Sequence, residues 1–351
     1  MKVWMVVAML WVLGAPGCDA GQEQGHTEGV AGTQNSGGEQ VFTRHEIKMG
    51  TEFAIHVAHH DEEELREAIA AAYDEIDRVE ALISEWREDS EISELNRGAG
   101  AGPVPVGREL GEVVERSLEL SKLTEGAFDI TFAACAGLWS IADQRIASDD
   151  EIDDCLPHID YRNVRIDAEK STIELVGEDT RVGIGAIGKG YGVDRAARVL
   201  RERGMENFIV DGSGDLYVSG RRDHRPWRVA IAHPRNQGQV LAVVELSDVA
   251  FVSSGDYERY FKRDGTRYHH IIDPSTARPA QASIATTVIA ADATTADALA
   301  TAFFVLGAEQ SLTIAEELPD VEALVITAEK DVEYTAGMED LVVGGSFPDK
   351  I

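Results

Sequence analysis

Segments with helical and with strand-like hydrophobic spacing follow one another irregularly along this chain, and this order limits its fold more than any other feature. Apolar residues recur at helical spacing in 61–86, 108–124, 193–204 and 295–306, and several strand-like runs between them come in pairs. A doubly wound α/β fold requires strands and helices to alternate regularly. The sequence therefore predicts an α+β fold, with mixed or antiparallel sheets and flanking helices.

One predicted hairpin carries two adjacent histidines. Its strands, 257–261 and 267–272, flank a turn that contains Asp264 and Gly265, a pair typical of tight hairpin turns. Side chains alternate between the two faces of a strand, so His269 and His270 should point in opposite directions. Other strands are predicted as a pair in 46–60, as two in 162–184, and at 208–211, 227–232, 240–246, 285–290, 323–326 and 333–345.

The charge balance excludes one class of partner. The formal net charge is −31, with 63 acidic against 32 basic residues. Nucleic-acid affinity depends on neutralising phosphates with Lys and Arg, so we expect no nucleic-acid partner. A bound di- or triphosphate would need a metal ion or a few well-placed cations. Because 44% of the residues are hydrophobic, we expect a packed core.

The first 41 residues read as a leader and a tether. Residues 1–18 combine a basic start, a short apolar stretch and a small-residue region that ends in Cys18, which resembles a bacterial lipoprotein signal. An ordinary signal peptide cut near Ala20 is the alternative. Residues 19–41 are polar and Gly-rich, as in a flexible tether. We therefore expect an exported inner-membrane lipoprotein facing the periplasm, with a folded domain at 42–351.

The other two cysteines, Cys135 and Cys155, belong to the folded part. Three cysteines in all cannot form a disulfide framework. The sequence leaves open whether these two form a disulfide or remain buried free thiols.

A glycine-rich segment precedes the third helix. Residues 183–188 match G-x-G-x-x-G, and Asp211 follows at about the distance of a ribose-binding carboxylate, so a Rossmann oxidoreductase competes. The preceding strand, about 180–184, is short and follows a polar turn, and no βαβα series comes after it. A P-loop fails because Gly190 replaces the hydroxyl residue. Anion binding by exposed backbone N–H groups remains open.

Asp297 and Thr301 lie one helical turn apart in an apolar helix. A carboxylate and a hydroxyl on one face offer two oxygens to a hard cation such as Mg²⁺. The alternative is structural, with Asp297 stabilising the helix dipole and Thr301 bonded back to its own helix. Spacing alone favours the structural reading.

The order of motifs changes that balance. The chain carries KMGTEFAIHV at 48–57, SEWREDSEISELN at 84–96, GAFDITFAACAGLW at 126–139, GIGAIGKGYGVDRAA at 183–197, IVDGSGDLYVSG at 209–220, SSGDYERYFKRDGTRYHHIIDPSTARP at 253–279 and TTADALATAFFVLG at 294–307. This series resembles the ApbE family of FAD:protein FMN transferases across about residues 45–345. The resemblance implies a single ApbE-like domain related to the T-fold.

The resemblance also implies a set of site residues. FAD would be the substrate, contacted by Met49, Trp86, Ala127, Phe128, Asp129, Lys189 and Ile272. Mg²⁺ would be the cofactor, held at Ala186, Asp297 and Thr301. His270 would assist catalysis, with Asp256 or Asp273 as its orienting partner. Three departures from the family pattern stand out: Gly183 replaces an Asp that contacts adenosine, Ala133 and Ala134 replace Gly-Pro, and Ser213 replaces a Gly.

The implied reaction moves FMN from FAD to a Thr or Ser hydroxyl of an exported acceptor protein and releases AMP. A subunit of an RNF- or NQR-type redox pump or a flavin reductase would be the acceptor. The family's acceptor motif, roughly Asp-x-x-Ser/Thr-Gly-Ala/Ser-Thr, does not occur in this chain. The alternatives are an FAD-binding lipoprotein, an FAD pyrophosphatase and, less favoured, the Rossmann oxidoreductase.

Overall fold

The structure is a computed structural model that describes residues 41–59 and 61–351. The leader and all of the predicted tether except Val41 lie outside these residues. Val41 itself begins the first strand, so the described fold starts one residue before the predicted domain boundary. No helix within the described ranges is both long enough and apolar enough to cross a membrane.

Helices form where the sequence provides apolar stripes and caps. Asp61 caps the first helix by accepting hydrogen bonds from the backbone N–H groups of Glu63 and Glu64. The helices of the described residues are α1 (Glu62–Ile83), α2 (Glu91–Arg97), α3 (Arg108–Leu123), α4 (Asp149–Cys155), α5 (Gly188–Glu202), α6 (Ala293–Leu306), α7 (Ala308–Glu317) and α8 (Ala336–Asp340). Short 3₁₀ turns lie at Ile130–Ala134, Ala136–Leu138, Leu156–His158 and Tyr161–Asn163.

The strands pair in antiparallel fashion throughout the described residues. They are β1 (Val41–Lys48), β2 (Thr51–Ala58), β3 (Val104–Pro105), β4 (Val164–Asp167), β5 (Thr172–Leu175), β6 (Asn207–Asp211), β7 (Asp215–Ser219), β8 (Trp227–Ala232), β9 (Val240–Leu246), β10 (Val249–Gly255), β11 (Tyr260–Arg263), β12 (Thr266–His269), β13 (Ile272–Asp273), β14 (Arg278–Pro279), β15 (Ser283–Ala290), β16 (Glu322–Thr327) and β17 (Val332–Tyr334). Eight of them form the main sheet, in the order β1-β2-β6-β7-β10-β15-β16-β17.

The main sheet is covered on both faces. On one face, Phe208 and Val210 of β6 join the large core built with α1, α5 and α6. Ile209, between them, joins a second core with the β8–β9 hairpin. Because successive side chains point to opposite faces, a strand buried on both sides reads as a continuous apolar run. The predicted α+β class with antiparallel sheets and flanking helices is confirmed.

Helix α6 is central because its sequence is apolar on nearly every side. Residues from Ala293 to Ala300 are all buried, and the helix ends at Gly307, whose φ of 78° suits glycine. Asp194 of α5 ties the two helices together. Its carboxylate accepts hydrogen bonds from the backbone N–H groups of Ala293 and Thr294, each at 2.8 Å. The first turn of α6 is thereby fixed against α5.

Several predicted boundaries need correction. Helix α5 begins at Gly188, five residues before the predicted start, and its glycine-rich first turn packs against Ile83 of α1 and Ala293 of α6. No strand forms at 180–184, and Asp211 ends a strand that lies in an antiparallel sheet, so the Rossmann alternative is wrong. The predicted strand at 333–345 stops at Tyr334, after which Thr335 leads into α8.

The structure answers the open question about the cysteines. Cys135 and Cys155 form a disulfide with a Cα–Cα distance of 5.7 Å. The bond joins the 3₁₀ segment after Phe128 to the end of α4, beside a small separate apolar cluster. It therefore supports a peripheral segment and not the main core.

Candidate functional site

The site begins where the first turn of α5 meets α6. The backbone N–H of Gly190 donates a hydrogen bond to Oδ2 of Asp297 at 3.0 Å. A Cβ at position 190 would lie 2.2 Å from the carbonyl oxygen of Ala293, so this contact requires glycine. Lys189, the residue before Gly190, is thus held in the same turn as the Asp297 contact. The predicted metal ligand and the predicted lysine do come together.

Four acidic side chains surround Lys189, and we call them the carboxylate cluster: Asp211, Asp215, Glu258 and Asp297. Lys189 Nζ lies 2.7 Å from Oδ2 of Asp215, whose side chain is 1% exposed. Burial lowers the pKa of Lys189, but the charges of Asp215, Asp297 and Glu258 raise it by more, so the net shift is upward. Lys189 is therefore a permanent cation among excess acids.

The cluster holds more negative charge than Lys189 can balance. Burial raises the pKa of Asp297 well above its usual range, and the nearby charge of Asp215 raises it further. Burial likewise raises the pKa of Asp211 to about 6 and that of Glu258 to about 7. In each case the ionised form is disfavoured by the loss of water. A divalent cation would relieve this penalty.

The donor atoms at the site fit such a cation. Oδ2 of Asp215 is buried and has no aligned hydrogen-bond donor, although Lys189 lies within ion-pair distance. Thr301 is partly exposed one turn after Asp297, and its hydroxyl forms no hydrogen bond with any described residue, so the back-bonding of the structural alternative is absent. Ala186 lies in the turn just before α5. Carboxylate, hydroxyl and carbonyl oxygens are the ligands that Mg²⁺ prefers.

No group of three or more His, Cys, Asp or Glu side chains within 41–59 and 61–351 is arranged to hold a metal by itself. The predicted set is compatible with this result because it needs only one such side chain, Asp297, together with a hydroxyl and backbone at Ala186. A phosphate-bearing ligand would supply further oxygens. Mg²⁺ commonly binds in this way, with few protein ligands.

The two histidines point in opposite directions, as predicted. His269 is buried, with Nε2 2.8 Å from the carbonyl oxygen of Ala280 and its ring against Phe304. His270 is exposed, and its Nδ1 lies 3.4 Å from the carbonyl oxygen of Arg259. The pKa of His270 is lowered to about 4, chiefly because neighbouring protein atoms displace water from the ring. The positive charges of His269, Arg259 and Lys189 add to this effect. Water at the exposed ring screens part of this effect. The ring is therefore neutral near pH 7.

Neither predicted orienting carboxylate reaches His270. Asp256 accepts hydrogen bonds from Arg235 at 2.6 and 2.7 Å and lies 3.2 Å from Arg267. Asp273 accepts hydrogen bonds from the N–H and hydroxyl of Ser275. Asp256 is held by arginines from two other segments and Asp273 by its own loop, so the prediction that one of them orients His270 is wrong.

Two of the predicted FAD contacts, Met49 and Trp86, lie in connections between elements. Met49, at the β1–β2 turn, has φ of 49°, and its Cε would lie 2.9 Å from a Cβ at Gly192 of α5. Trp86 was expected to end the first helix, but α1 stops at Ile83 because Ser84 turns to an extended conformation. Trp86 is consequently 88% exposed, an open ring surface on which a flat ligand can stack.

Most of the 127–129 segment is buried and contacts the protein interior. Phe128 is 2% exposed and belongs to the core. The carboxylate of Asp129 accepts hydrogen bonds from Thr131 and from the backbone N–H of Tyr161. Only Ala127 is partly exposed, so a ligand would meet chiefly the surface of this turn. Ile272 is also partly exposed, in the short strand after His270.

Asp215 and Glu258 were not predicted as site residues, and Asp211 was considered only for the Rossmann alternative. Asp211 and Asp215 end and begin adjacent strands around a turn in which Ser213 has φ of 58°. The repeated acids in IVDGSGD were the available signal. Spacing did not reveal them because their partners, Lys189 and Asp297, come from distant parts of the chain.

The described geometry defines an antiparallel α+β protein with a lysine–carboxylate centre at the start of α5. A sequence model of the ApbE family matches residues 49–325, and the chain belongs to the ApbE family. The FAD:protein FMN transferase of Treponema pallidum is 35% identical over 320 residues, covering 86% of this chain and 88% of that protein.

Solved structures of ApbE proteins have the same fold as this chain. The ApbE protein of Thermotoga maritima superposes with a TM-score of 0.80 at 30% identity, covering 86% of this chain and 99% of that one. The flavin transferase ApbE of Vibrio cholerae superposes with a TM-score of 0.75, also at 30% identity, covering 86% and 99%. The similarity therefore extends over nearly the whole described domain.

Proposed function

We propose that this protein is an FAD:protein FMN transferase, which moves FMN from FAD to a Thr or Ser hydroxyl of another protein and releases AMP. The observation that carries the proposal is the contact of Asp297 with the Lys189 turn, within the electrostatic range of His270. The proposed metal ligand would thus lie beside a fixed positive charge, and the proposed base is close enough to feel that charge. The names of the similar proteins support the same reaction.

Each residue has a role in that reaction. Asp297, Thr301 and the backbone at Ala186 would hold Mg²⁺, which when bound neutralises pyrophosphate charge and orients its oxygens. Lys189 adds a second, permanent positive charge beside the phosphates. The first turn of α5 adds little further anion binding, because the N–H groups of Gly188 and Gly190 already donate to Ile184 and Asp297.

His270 would take the proton of the acceptor hydroxyl. A proton on Nδ1 can be donated to the carbonyl oxygen of Arg259, which leaves Nε2 as the acceptor. The hydroxyl oxygen then bonds to the FMN phosphorus, the bond from that phosphorus to the bridging oxygen breaks, and AMP leaves. In-line transfer of this kind depends mainly on positioning and electrostatics.

The test is a transfer assay with purified protein, FAD, Mg²⁺ and a peptide carrying the acceptor motif. Mass spectrometry of the peptide should show a covalent FMN adduct, with AMP released in equal amount. Free FMN and AMP without adduct would instead identify a pyrophosphatase that uses water. Unchanged FAD would identify a flavin-binding protein without transfer chemistry.

We also propose that the protein acts at a membrane. Lipid on Cys18 and the tether to residue 41 would hold the domain on the periplasmic face of the inner membrane. The acceptor would be another exported protein, such as an RNF- or NQR-type subunit or a flavin reductase. Cell fractionation checks this: Cys18→Ala should move the protein from the membrane fraction, and unchanged fractionation would refute the anchor.

A further inference from the structure

Glu85 occupies space that a side chain at position 183 would need. A Cβ added to Gly183 would lie 2.3 Å from Oε2 of Glu85 and 2.8 Å from Cβ of Ala133. Real Cβ atoms essentially never come this close to other heavy atoms. Gly183 therefore makes room for the carboxylate of Glu85 at the entry to the glycine-rich loop, six residues before Lys189.

The segments around Glu85 are firmly placed. The hydroxyl of Ser90 donates to the carbonyl oxygen of Ser84 at 2.7 Å and closes the turn that carries Glu85. Asn96 binds both the carbonyl oxygen and the N–H of Val182, each at 2.8 Å. The N–H of Gly183 donates to the carbonyl oxygen of Ile130 at 2.9 Å. The turn that carries Glu85 and the loop opposite it are thus both fixed by hydrogen bonds within the protein.

Despite this placement, Glu85 has no partner within the described part of the chain. Its carboxylate forms no hydrogen bond and no ion pair there, although the residue is only partly exposed. Burial raises its pKa, and no neighbouring charge contributes to the shift. A partly buried carboxylate without donors is costly. Trp86, the next residue, is 88% exposed.

We propose that Glu85, accommodated by Gly183, binds hydroxyl groups of the flavin nucleotide. This inference rests on the proposed function, because it assumes that the site takes FAD. An ionised carboxylate only accepts hydrogen bonds, and it repels phosphate, so its partner must be a neutral donor. Nucleotide hydroxyls meet that requirement, as acidic residues that bind a ribose show. FAD offers two such sources, the adenosine ribose and the ribityl chain.

The test measures FAD binding by calorimetry, without acceptor, for the wild type, Glu85→Gln and Glu88→Gln. Glu88 is the matched control because it lies exposed in the same turn. Loss of hydrogen bonds to a charged acceptor should weaken FAD binding by about tenfold or more in Glu85→Gln. The control should bind as the wild type does. Equal binding by all three proteins would overturn the proposal.

A second arm identifies the hydroxyl source. With an FAD analogue that lacks the 2′ and 3′ hydroxyls of the adenosine ribose, wild type and Glu85→Gln should bind alike if Glu85 contacts that ribose. If the difference persists with the analogue and also appears with FMN, the ribityl chain is the partner. A difference with the analogue but none with FMN would overturn hydroxyl binding.

Unfolding midpoints of the three proteins separate a binding defect from a folding defect. The proposed function is tested independently by the adduct assay. A wild type that binds FAD without transferring FMN would refute the transferase and leave the Glu85 assignment standing. A Glu85→Gln protein that transfers FMN and binds FAD normally would refute only the assignment.

Discussion

At the scale of single residues, the candidate site has more acidic side chains than Lys189 alone can neutralise. Lys189 is the cation that contacts the carboxylate cluster, and Asp297 is buried deeply enough that its ionised form is disfavoured. Such an arrangement has little reason to persist in a protein that never binds a cation, because uncompensated buried charge destabilises the fold. Two predictions follow at this scale.

The first concerns Asp297. Asp297→Asn should reduce FMN transfer by more than about 100-fold, since a neutral amide is a poor ligand for Mg²⁺. In EDTA its unfolding midpoint should equal or exceed that of the wild type, because the change removes a buried charge. Added Mg²⁺ should raise the midpoint of the wild type only. Asp292→Asn, which keeps the cap of α6, serves as the control. Full transfer by the Asp297 variant would contradict the metal assignment.

The second concerns His270. His270→Gln should lower kcat by about 10²–10⁴-fold, as expected for loss of a general base. Because the pKa of His270 is lowered to about 4, the base is already neutral above that value. The acid limb of the wild-type pH–rate profile should therefore lie below pH 6. The control is His45→Gln, a substitution at an exposed histidine. A limb centred near pH 7 that vanishes in Glu258→Gln would assign the base to Glu258 instead.

At the scale of elements, the crossing of α5 and α6 fixes the position of Lys189 relative to Asp297. The two helices approach closely because Gly190 of α5 leaves room for the backbone of Ala293 in α6. Asp194 then hydrogen-bonds the first turn of α6. Gly190, just after the G-x-G-x-x-G match, thus serves helix packing and brings Lys189 to Asp297, whereas Gly183 of that match lies beside Glu85.

The third prediction tests this crossing. Gly190→Ala should destabilise the protein by about 1–3 kcal/mol, because its Cβ meets the carbonyl oxygen of Ala293 and the helices must separate. Gly111→Ala in α3, where nothing lies within 4 Å of the added Cβ, should stabilise by about 0.5–1 kcal/mol. Urea unfolding of both variants measures the difference. Equal stability of the two would show that α5 and α6 do not pack as closely as described.

At the scale of the whole molecule, stability depends on acids held in the interior. The folded-state pKa is about 6 for Asp194 and Asp211 and about 7 for Glu258, against about 4 in the unfolded chain. Between pH 4 and 7 the folded protein therefore binds more protons than the unfolded one. The contribution of these groups to the free energy of unfolding is greatest below pH 4, where they are protonated in both states. It is lost as the pH rises through 6 to 7.

The fourth prediction follows from this linkage. In EDTA, the free energy of unfolding should fall as the pH rises from 5 to 8, and the net charge of −31 should add to the decline at low salt. Saturating Mg²⁺ should reduce the decline, because it binds the ionised form of Asp297. Urea titrations at several pH values, with and without Mg²⁺, measure both effects. Stability that rises between pH 5 and 8 without metal would contradict the raised pKa values.

Much of the fold was predictable because its signals are local. The helical spacing of α1, α3 and α6, the Asp264–Gly265 turn and the apolar run of β6 each depend on neighbours within a few residues. Boundaries failed where distant contacts decide them. The first turn of α5 forms where Ile83 of α1 and Ala293 of α6 lie against Gly188 and Gly190. The end of α1 was missed for a local reason, because the helical spacing continues to Trp86 although the chain already turns at Ser84.

Some features of the candidate site were likewise predictable from the sequence, and others were not. The sequence alone determined the one-turn spacing of Asp297 and Thr301, the opposite facing of His269 and His270, and the family to which these motifs point. Only the tertiary structure decided that Asp215 joins Lys189, that Glu85 fills the space beside Gly183, and that Asp256 and Asp273 are already engaged. The reason is physical: spacing along a chain sets which way a side chain points, whereas burial and charge depend on what folding places beside it.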